Sequence, residues 1–134
     1  MRLLLDTNVL LWLMTSSPRL STGAVSLIRG AEAVYVSTAS IWEIAIKWRI
    51  GKLEDDPQMV VNRLEDAGLH DLQITNRHAV TAGGLPLLHH DPFDRLLIAQ
   101  AICEQMHLLT ADARLAEYSE LVIVCERDSK MEVR

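Results

Sequence analysis

The sequence predicts an α/β fold in which helices flank both faces of a parallel central sheet. Short apolar runs alternate along the chain with segments of helical periodicity. The pairs Asp56-Pro57 and Asp91-Pro92 are typical helix starts, because Asp caps the helix and Pro fits its first position. Strands that alternate with helices in this way predict a parallel sheet between two helical layers.

Five apolar runs predict the strands, because parallel strands buried on both faces read as continuous hydrophobic segments. The predicted strands cover residues 3–5, 33–36, 72–74, 108–110 and 122–124.

Helices are predicted where apolar residues recur at spacings of three and four. Ser21 and Thr75 are suitable N-caps, and Gly30 and Gly51 are suitable terminators. The predicted helices cover residues 8–14, 21–29, 38–50, 57–68, 75–82, 92–106 and 113–117.

Length and composition predict one domain with a hydrophobic core. The chain has 134 residues, of which 49% are apolar, so intrinsic disorder is excluded. We expect a single domain at residues 1–126 and a polar tail at 127–134. The formal net charge of −5 argues against a protein that coats nucleic acid through bulk charge. It is compatible with a nuclease whose acidic centre has a local basic rim.

Cysteine usage and the amino terminus indicate a cytoplasmic protein. Cys103 and Cys125 form neither a CxxC motif nor a disulfide framework. Met1 leads almost directly into the first strand, without a signal peptide. The apolar stretches are too short or too interrupted to cross a membrane, so no membrane contact is expected.

Four carboxylates each stand where a predicted strand ends or a helix begins: Asp6, Glu43, Asp94 and Asp112. The carboxyl ends of parallel strands and the adjacent helix starts share one crevice. Acidic side chains gathered there repel one another unless a cation is bound. Mg²⁺ or Mn²⁺ is the natural partner of an all-oxygen site, so the sequence predicts a metal-dependent phosphodiesterase.

Each carboxylate also has a local explanation. Asp6 and Asp112 can cap the following helices, Asp94 can favour a helix N-terminus, and Glu43 can pair with Lys47. Four independent caps have no reason to converge, however, and Glu43 lies in an otherwise apolar segment. Crowded charges predict a destabilised metal-free fold, which Asp112→Asn should relieve unless a cap is lost with the charge.

Other polar residues complete the predicted site. Thr7 and Thr110 are expected to donate hydrogen bonds to ligands or phosphate. His89 and His90 are expected to be loop residues without a role in metal binding, because no further His or Cys stands at matching spacing. The candidate RNA-binding residues are basic: Lys47, Arg49, Arg95 and Arg114.

Four sequence blocks together resemble the signature blocks of PIN-domain ribonucleases, and most closely those of VapC-type toxins. The blocks are Leu4-Leu-Asp-Thr-Asn-Val-Leu-Leu-Trp12, Ser37-Thr-Ala-Ser-Ile-Trp-Glu-Ile-Ala-Ile-Lys47, Asp91-Pro-Phe-Asp-Arg-Leu-Leu-Ile-Ala-Gln100 and Leu109-Thr-Ala-Asp112. The resemblance spans nearly the whole chain and implies a PIN-like three-layer sandwich that cleaves RNA with Mg²⁺ or Mn²⁺. It assigns the family's catalytic and metal-binding acidic positions to the four carboxylates. It also implies a homodimer and a cognate antitoxin whose tail occupies the active-site groove.

Four other functions are alternatives to the toxin. A haloacid-dehalogenase-type phosphatase requires a second Asp two residues after the first, where this chain has Asn8. A receiver-like phosphoacceptor domain requires a lysine at the last strands near the acidic site, and this chain has no lysine there. A housekeeping PIN nuclease and a catalytically idle RNA-binding module of the same fold stay open, as do transfer, ribosomal and messenger RNA as substrates.

Overall fold

The computed structural model describes residues 1–125, which form a parallel sheet between two layers of helices. The strands are β1 (Arg2–Leu5), β2 (Ala33–Ser37), β3 (Leu69–Leu72), β4 (His107–Thr110) and β5 (Val122–Val124). The helices are α1 (Thr7–Met14), α2 (Thr22–Gly30), α3 (Thr38–Arg49), α4 (Pro57–Leu64), α5 (Asn76–Gly84) and α6 (Pro92–Glu104), followed by a 3-10 helix at Ala113–Glu117.

The strand order β3-β2-β1-β4-β5 explains where a site can form. The chain moves from β1 to β2 and β3 on one side, and β4 and β5 lie on the other. The direction of winding therefore reverses between β1 and β4. In open α/β sheets the crevice beyond the carboxyl ends of strands at such a switch point is the usual binding site.

Strand β1 lies at the centre of the core, and its alternating side chains pack against both helical layers. Leu3 and Leu5 belong to the apolar cluster on one face, together with residues of α1 and α3. Leu4 packs on the opposite face with Leu97 of α6 and Leu108 of β4. Because residues 3–5 of β1 are fully buried, the residues directly after them are held firmly in place.

The α/β class, the parallel sheet and the number of strands are confirmed. The third strand was predicted too late, since it covers Leu69–Leu72 rather than residues 72–74. Helix α4 ends at Leu64, and Gly68 adopts a positive φ of 75° immediately before the strand. This left-handed turn, which glycine favours, brings the chain into the sheet earlier than hydrophobicity alone indicated.

Among residues 1–125, no helix is both long enough and apolar enough to cross a membrane. The predicted polar tail at 127–134 lies outside the described residues.

Candidate active site

Asp6 lies directly after the central strand, and both of its oxygens are used. Its Oδ1 accepts a hydrogen bond from the backbone N–H of Val9 at 2.8 Å, so Asp6 is the N-cap of α1. Its Oδ2 accepts a hydrogen bond from the hydroxyl of Thr110 at the end of β4. The residue is only 6% exposed. The predicted cap is therefore real, but it places a buried carboxylate at the switch point.

Glu43 reaches the same edge of the sheet from α3. Its Oε1 accepts a hydrogen bond from the Thr7 hydroxyl at 2.6 Å, and its Oε2 accepts one from the Lys47 ammonium at 2.7 Å. Thr7 Oγ1 also lies 3.0 Å from the hydroxyl oxygen of Ser40. Glu43 is only 8% exposed. The predicted Glu43–Lys47 pair thus exists, and it leaves the carboxylate inside the site.

Asp94 occupies the first turn of α6, whose N-cap is Asp91. The backbone N–H of Asp94 donates to Asp91 Oδ1 at 3.1 Å. The side chain of Asp94 points elsewhere, and its Oδ2 lies 2.9 Å from Nε2 of His89. Asp91 therefore caps the helix, and the carboxylate of Asp94 contacts His89 instead of a helix N–H group.

Asp112 follows β4 and caps the 3-10 helix through the backbone N–H of Arg114 at 3.0 Å. Two nitrogens of the Arg114 guanidinium, Nε and Nη2, donate hydrogen bonds to the same carboxylate. The shorter of these bonds is 2.7 Å, from Nη2 to Oδ2. The side chain of Arg114 is 70% exposed. Asp112 is thus the outermost of the four carboxylates, with a solvated counter-ion.

Burial and the charges of neighbouring carboxylates shift the pKa values of the acidic side chains in the site. Burial raises the pKa of Asp6 to about 6, the Thr110 and Val9 hydrogen bonds oppose that rise, and the charges of Asp94 and Glu43 add to it. Burial also raises the pKa of Asp94. The Arg114 hydrogen bonds instead lower the pKa of Asp112. The site therefore combines two carboxylates whose charged forms are disfavoured by burial, Asp6 and Asp94, with Asp112, whose charge Arg114 stabilises.

The chemistry of these donors fits a hard divalent cation. His89, Asp94 and Asp112 each offer one ligand atom, and these atoms all lie within 4.8 Å of one another. Asp6 and Glu43 are not part of this group. They interact with it electrostatically, because the charges of Asp94 and Glu43 raise the pKa of Asp6 and the charge of Glu43 raises the pKa of Asp94. Carboxylate oxygens are the ligands that Mg²⁺ and Mn²⁺ prefer, and a bound cation would relieve the repulsion.

A sequence model of the PIN domain matches residues 3–121, which is most of the chain. The protein belongs to the PIN domain family. No curated protein sequence matches it.

Solved structures share this PIN fold at low sequence identity. A toxin–antitoxin complex from Klebsiella pneumoniae matches at 16% identity with a TM-score of 0.67, covering 93% of this chain and 98% of the other. VapBC2 from Rickettsia felis, bound to a promoter DNA fragment, matches at 16% identity with a TM-score of 0.66, covering 96% and 100%. FitAcB from Neisseria gonorrhoeae matches at 18% identity with a TM-score of 0.63, covering 93% and 97%.

The four predicted basic residues of this PIN domain lie in different environments. Lys47 contacts Glu43 and Arg114 contacts Asp112, so both border the acidic site. Arg49 is exposed near the end of α3. Arg95 instead donates to the backbone carbonyls of the loop before α6, including Ala82 at 2.9 Å. Its guanidinium therefore holds that loop, whereas Lys47 and Arg114 border the acidic site and Arg49 is exposed.

His89 is the residue that sequence reasoning placed correctly in a loop but wrongly kept apart from the acidic cluster. Its ring contacts Asp94, and it belongs to the only group of three or more potential metal ligands found among residues 1–125. The spacing of His and Cys residues could not reveal this contact, because the partners of His89 are the carboxylates of Asp94 and Asp112. Its position five residues before Asp94, across a helix start, was the available signal.

A surface groove in the described part of the chain lies away from the four carboxylates. Its volume is about 600 Å³, and it opens near the amino ends of β2 and β3, beside Arg29, Arg63 and His70. None of the four carboxylates lines this groove. The groove therefore lies at the opposite end of the sheet from Asp6 and Asp112, which follow the carboxyl ends of β1 and β4.

Proposed function

We propose that this PIN domain is a Mg²⁺- or Mn²⁺-dependent endoribonuclease and the toxin of a toxin–antitoxin pair, acting in the cytoplasm. The observation that carries this proposal is the convergence of Asp6, Glu43 and Asp94 at the switch point of the sheet. Their charges raise the pKa of Asp6 together with its burial. A fold retains such mutual repulsion where a cation is needed for function.

The proposed role of each site residue follows from its position. Asp6, Asp94 and Asp112 would hold the cation, and Glu43 would hold a second ion or orient the attacking water. A cation held by these residues would lower the pKa of a water molecule and neutralise the charge that builds on the phosphorus centre. Thr7 and Thr110 fix the carboxylates of Glu43 and Asp6 through their hydroxyl groups.

A basic rim would bring the RNA backbone to this acidic centre. Lys47 and Arg114 each neutralise one carboxylate at the edge of the site. Both side chains have solvent-exposed parts, so they can exchange the carboxylate for a phosphate oxygen at little cost. Arg49 extends the positive charge along α3. This local arrangement reconciles a nuclease with a chain whose net charge is −5.

The toxin role is supported by the structural neighbours. They come from toxin–antitoxin complexes, and the alignment covers nearly the full length of both chains. We therefore expect a homodimer and a cognate antitoxin whose tail blocks the acidic groove. The complete set of four carboxylates favours an active nuclease over an idle RNA-binding module.

The test of catalysis compares Asp6→Asn and Asp94→Asn with the wild type on total RNA plus Mg²⁺ or Mn²⁺. Each variant should lose most cleavage, since a neutral amide replaces a charged ligand. Asp66→Asn, an exposed position outside the site, is the matched control and should cleave normally. Full activity in either site variant, or wild-type cleavage that survives EDTA, would refute the mechanism.

The test of the toxin role is expression without an antitoxin. The wild type should arrest growth, and soluble Asp6→Asn protein should not. Normal growth with soluble wild-type protein that still cleaves RNA in vitro would favour a housekeeping nuclease. Binding of RNA without cleavage would favour the idle module.

A further inference from the structure

The ring of His89 occupies a ligand position beside two carboxylates. Its Nε2 lies 2.9 Å from Oδ2 of Asp94, and a carboxylate oxygen of Asp112 completes a group within 4.8 Å. Neighbouring ligands of an octahedral ion with bonds of about 2.1 Å are separated by about 3 Å. The His89–Asp94 separation therefore suits two ligands on one ion as well as it suits a hydrogen bond.

The loop that carries His89 is fixed by side chains on two elements. Arg95 donates to the carbonyl oxygens of Leu85 at 2.9 Å and Pro86 at 2.8 Å. The hydroxyl of Tyr118 donates to the carbonyl oxygen of His89 itself at 3.2 Å. A ligand whose backbone is held in this way is preorganised, so binding an ion costs little ordering.

The adjacent histidine provides an internal contrast. The His89 side chain is only 12% exposed, whereas His90 is an exposed residue outside the cluster. Two histidines that are neighbours in sequence thus differ completely in environment. The burial of the first against carboxylates is specific to its position.

Arg114 does not prevent ion binding at this place. It pairs with Asp112 from the solvent side, and its own side chain is largely exposed. Exposed ion pairs contribute little net free energy, so a divalent cation can displace the guanidinium. The displaced Arg114 then becomes available to a phosphate.

We propose that His89 is a nitrogen ligand of the divalent cation, which makes the site prefer Mn²⁺ to Mg²⁺. This inference rests on the proposed metal-dependent function and adds to its all-carboxylate ligand set. Imidazole binds transition metals well, whereas Mg²⁺ selects oxygen ligands in near-ideal octahedral geometry. Ligation requires the neutral ring with its proton on Nδ1, so that the lone pair of Nε2 points to the ion.

The experiment measures metal binding directly, without RNA. Mn²⁺ is titrated into wild type, His89→Gln and His90→Gln, and free Mn²⁺ is followed by electron paramagnetic resonance, with Mg²⁺ as competitor. Glutamine retains a donor that can hydrogen-bond Asp94, but it removes the imidazole nitrogen. Pulsed measurements on bound Mn²⁺ then report whether a nitrogen nucleus is coordinated.

Wild type and His90→Gln should prefer Mn²⁺ and show nitrogen coupling. His89→Gln should lose the nitrogen coupling and about tenfold or more of its Mn²⁺ affinity, while its Mg²⁺ affinity falls less. Nitrogen coupling that is absent from the wild type or persists in His89→Gln would overturn the inference. Equal losses for both ions would also overturn it, because His89 would then only position Asp94.

The result separates this inference from the proposed function. If Mn²⁺ fails to bind the wild type, the metal-dependent nuclease fails as well. If Mn²⁺ binds the wild type and His89→Gln equally, only the role of His89 is wrong. Thermal melts of both variants confirm that each one is folded before binding is measured.

Discussion

The acidic site has two halves that are built in different ways. The inner half consists of Asp6 and Glu43, which are buried and are held by the hydroxyl groups of Thr110 and Thr7. The outer half consists of His89, Asp94 and Asp112, which stand on loops and helix starts. Sheet and core packing fix the inner half, whereas side-chain contacts to loop carbonyls fix the outer half.

The two halves therefore differ in how rigidly their side chains are held and in how their charges are compensated. The inner half is precise because β1 is buried at the centre of the sheet, but burial leaves its carboxylates poorly solvated. In the outer half Arg114 compensates the charge of Asp112 and His89 contacts Asp94, but the position of His89 depends on a loop. A cation that bridges both halves would therefore stabilise the fold mainly through the inner carboxylates.

The largest expected effect is stabilisation by metal. At a hundredfold excess over its dissociation constant, bound Mn²⁺ should add about 2.7 kcal/mol to the free energy of unfolding. For a domain of this size that is a rise of roughly ten degrees in melting temperature. Asp6→Asn should show little of this rise, because it removes an inner ligand. The measurement is a thermal melt in EDTA and in Mn²⁺.

Asp66→Asn is the control for that melt, since it removes one exposed carboxylate outside the site. It should respond to Mn²⁺ as the wild type does. A wild type whose melting temperature stays unchanged across millimolar Mn²⁺ would mean that the carboxylates are only helix caps.

The next largest effect is the free energy that the ionised Asp6 carboxylate costs the metal-free fold. The pKa of Asp6 is raised from 3.8 to about 6, so ionising it costs the fold about 3 kcal/mol above pH 6. Asp6→Asn removes that cost and retains a good N-cap, but it disturbs the Thr110 hydrogen bond at about 1 kcal/mol. We expect a net gain of about 2 kcal/mol at pH 7.5 in EDTA.

The pH dependence gives this prediction its direction. In the folded state Asp6 binds its proton more tightly than in the unfolded state, so wild-type stability from this group falls as pH rises from about 4 to about 6. The advantage of Asp6→Asn should therefore be complete above pH 6 and should disappear below pH 4. An advantage that is equal at pH 4 and pH 7.5 would show that charge is not its cause.

The contrast between the halves also explains what the sequence could predict. Apolar runs and caps located the strands and helices, and parallel topology brought Asp6, Glu43, Asp94 and Asp112 to one edge. These inferences depend on local patterns and on one general rule of winding. They were sufficient to place Asp6 at the end of the buried strand β1. The roles of the four carboxylates stay a prediction.

Contacts between distant loops could not be predicted in the same way. The Arg95 guanidinium donates hydrogen bonds to backbone carbonyls, and His89 contacts Asp94. Both contacts depend on loop geometry, which the periodicity of the sequence does not encode. Arg95 was therefore expected to face RNA, although its guanidinium binds its own chain. The pairing of Asp112 with Arg114, two residues later, was also not predicted, because it depends on the turn that the cap of the 3-10 helix imposes.

A smaller effect should follow from loosening the outer half. Arg95→Lys retains the positive charge but loses the planar fork that donates to the carbonyls of Ala82, Leu85 and Pro86. We expect a loss of about 1.5 kcal/mol of stability, since hydrogen bonds from charged groups contribute roughly that much. Arg77→Lys, on the exposed surface of α5, should change little. Chemical denaturation of both variants measures the difference.

The smallest effect distinguishes Asp112 from Asp6 most sharply. The sequence led us to expect that Asp112→Asn would raise the melting temperature of the metal-free protein by relieving repulsion. The structure argues against this, because the Arg114 hydrogen bonds lower the pKa of Asp112 and stabilise its charge. Asparagine also caps helices well, so Asp112→Asn should alter stability by less than about 0.5 kcal/mol in EDTA.

Asp112→Ala completes the comparison, because it removes the cap onto the Arg114 N–H as well as the charge. It should lower stability by about 1 kcal/mol, the usual cost of losing a capping side chain. The three variants then rank in one order in EDTA at pH 7.5, with Asp6→Asn above wild type, Asp112→Asn near it and Asp112→Ala below. If Asp112→Asn stabilises as much as Asp6→Asn does, repulsion is shared across the whole site and the two halves are electrostatically one.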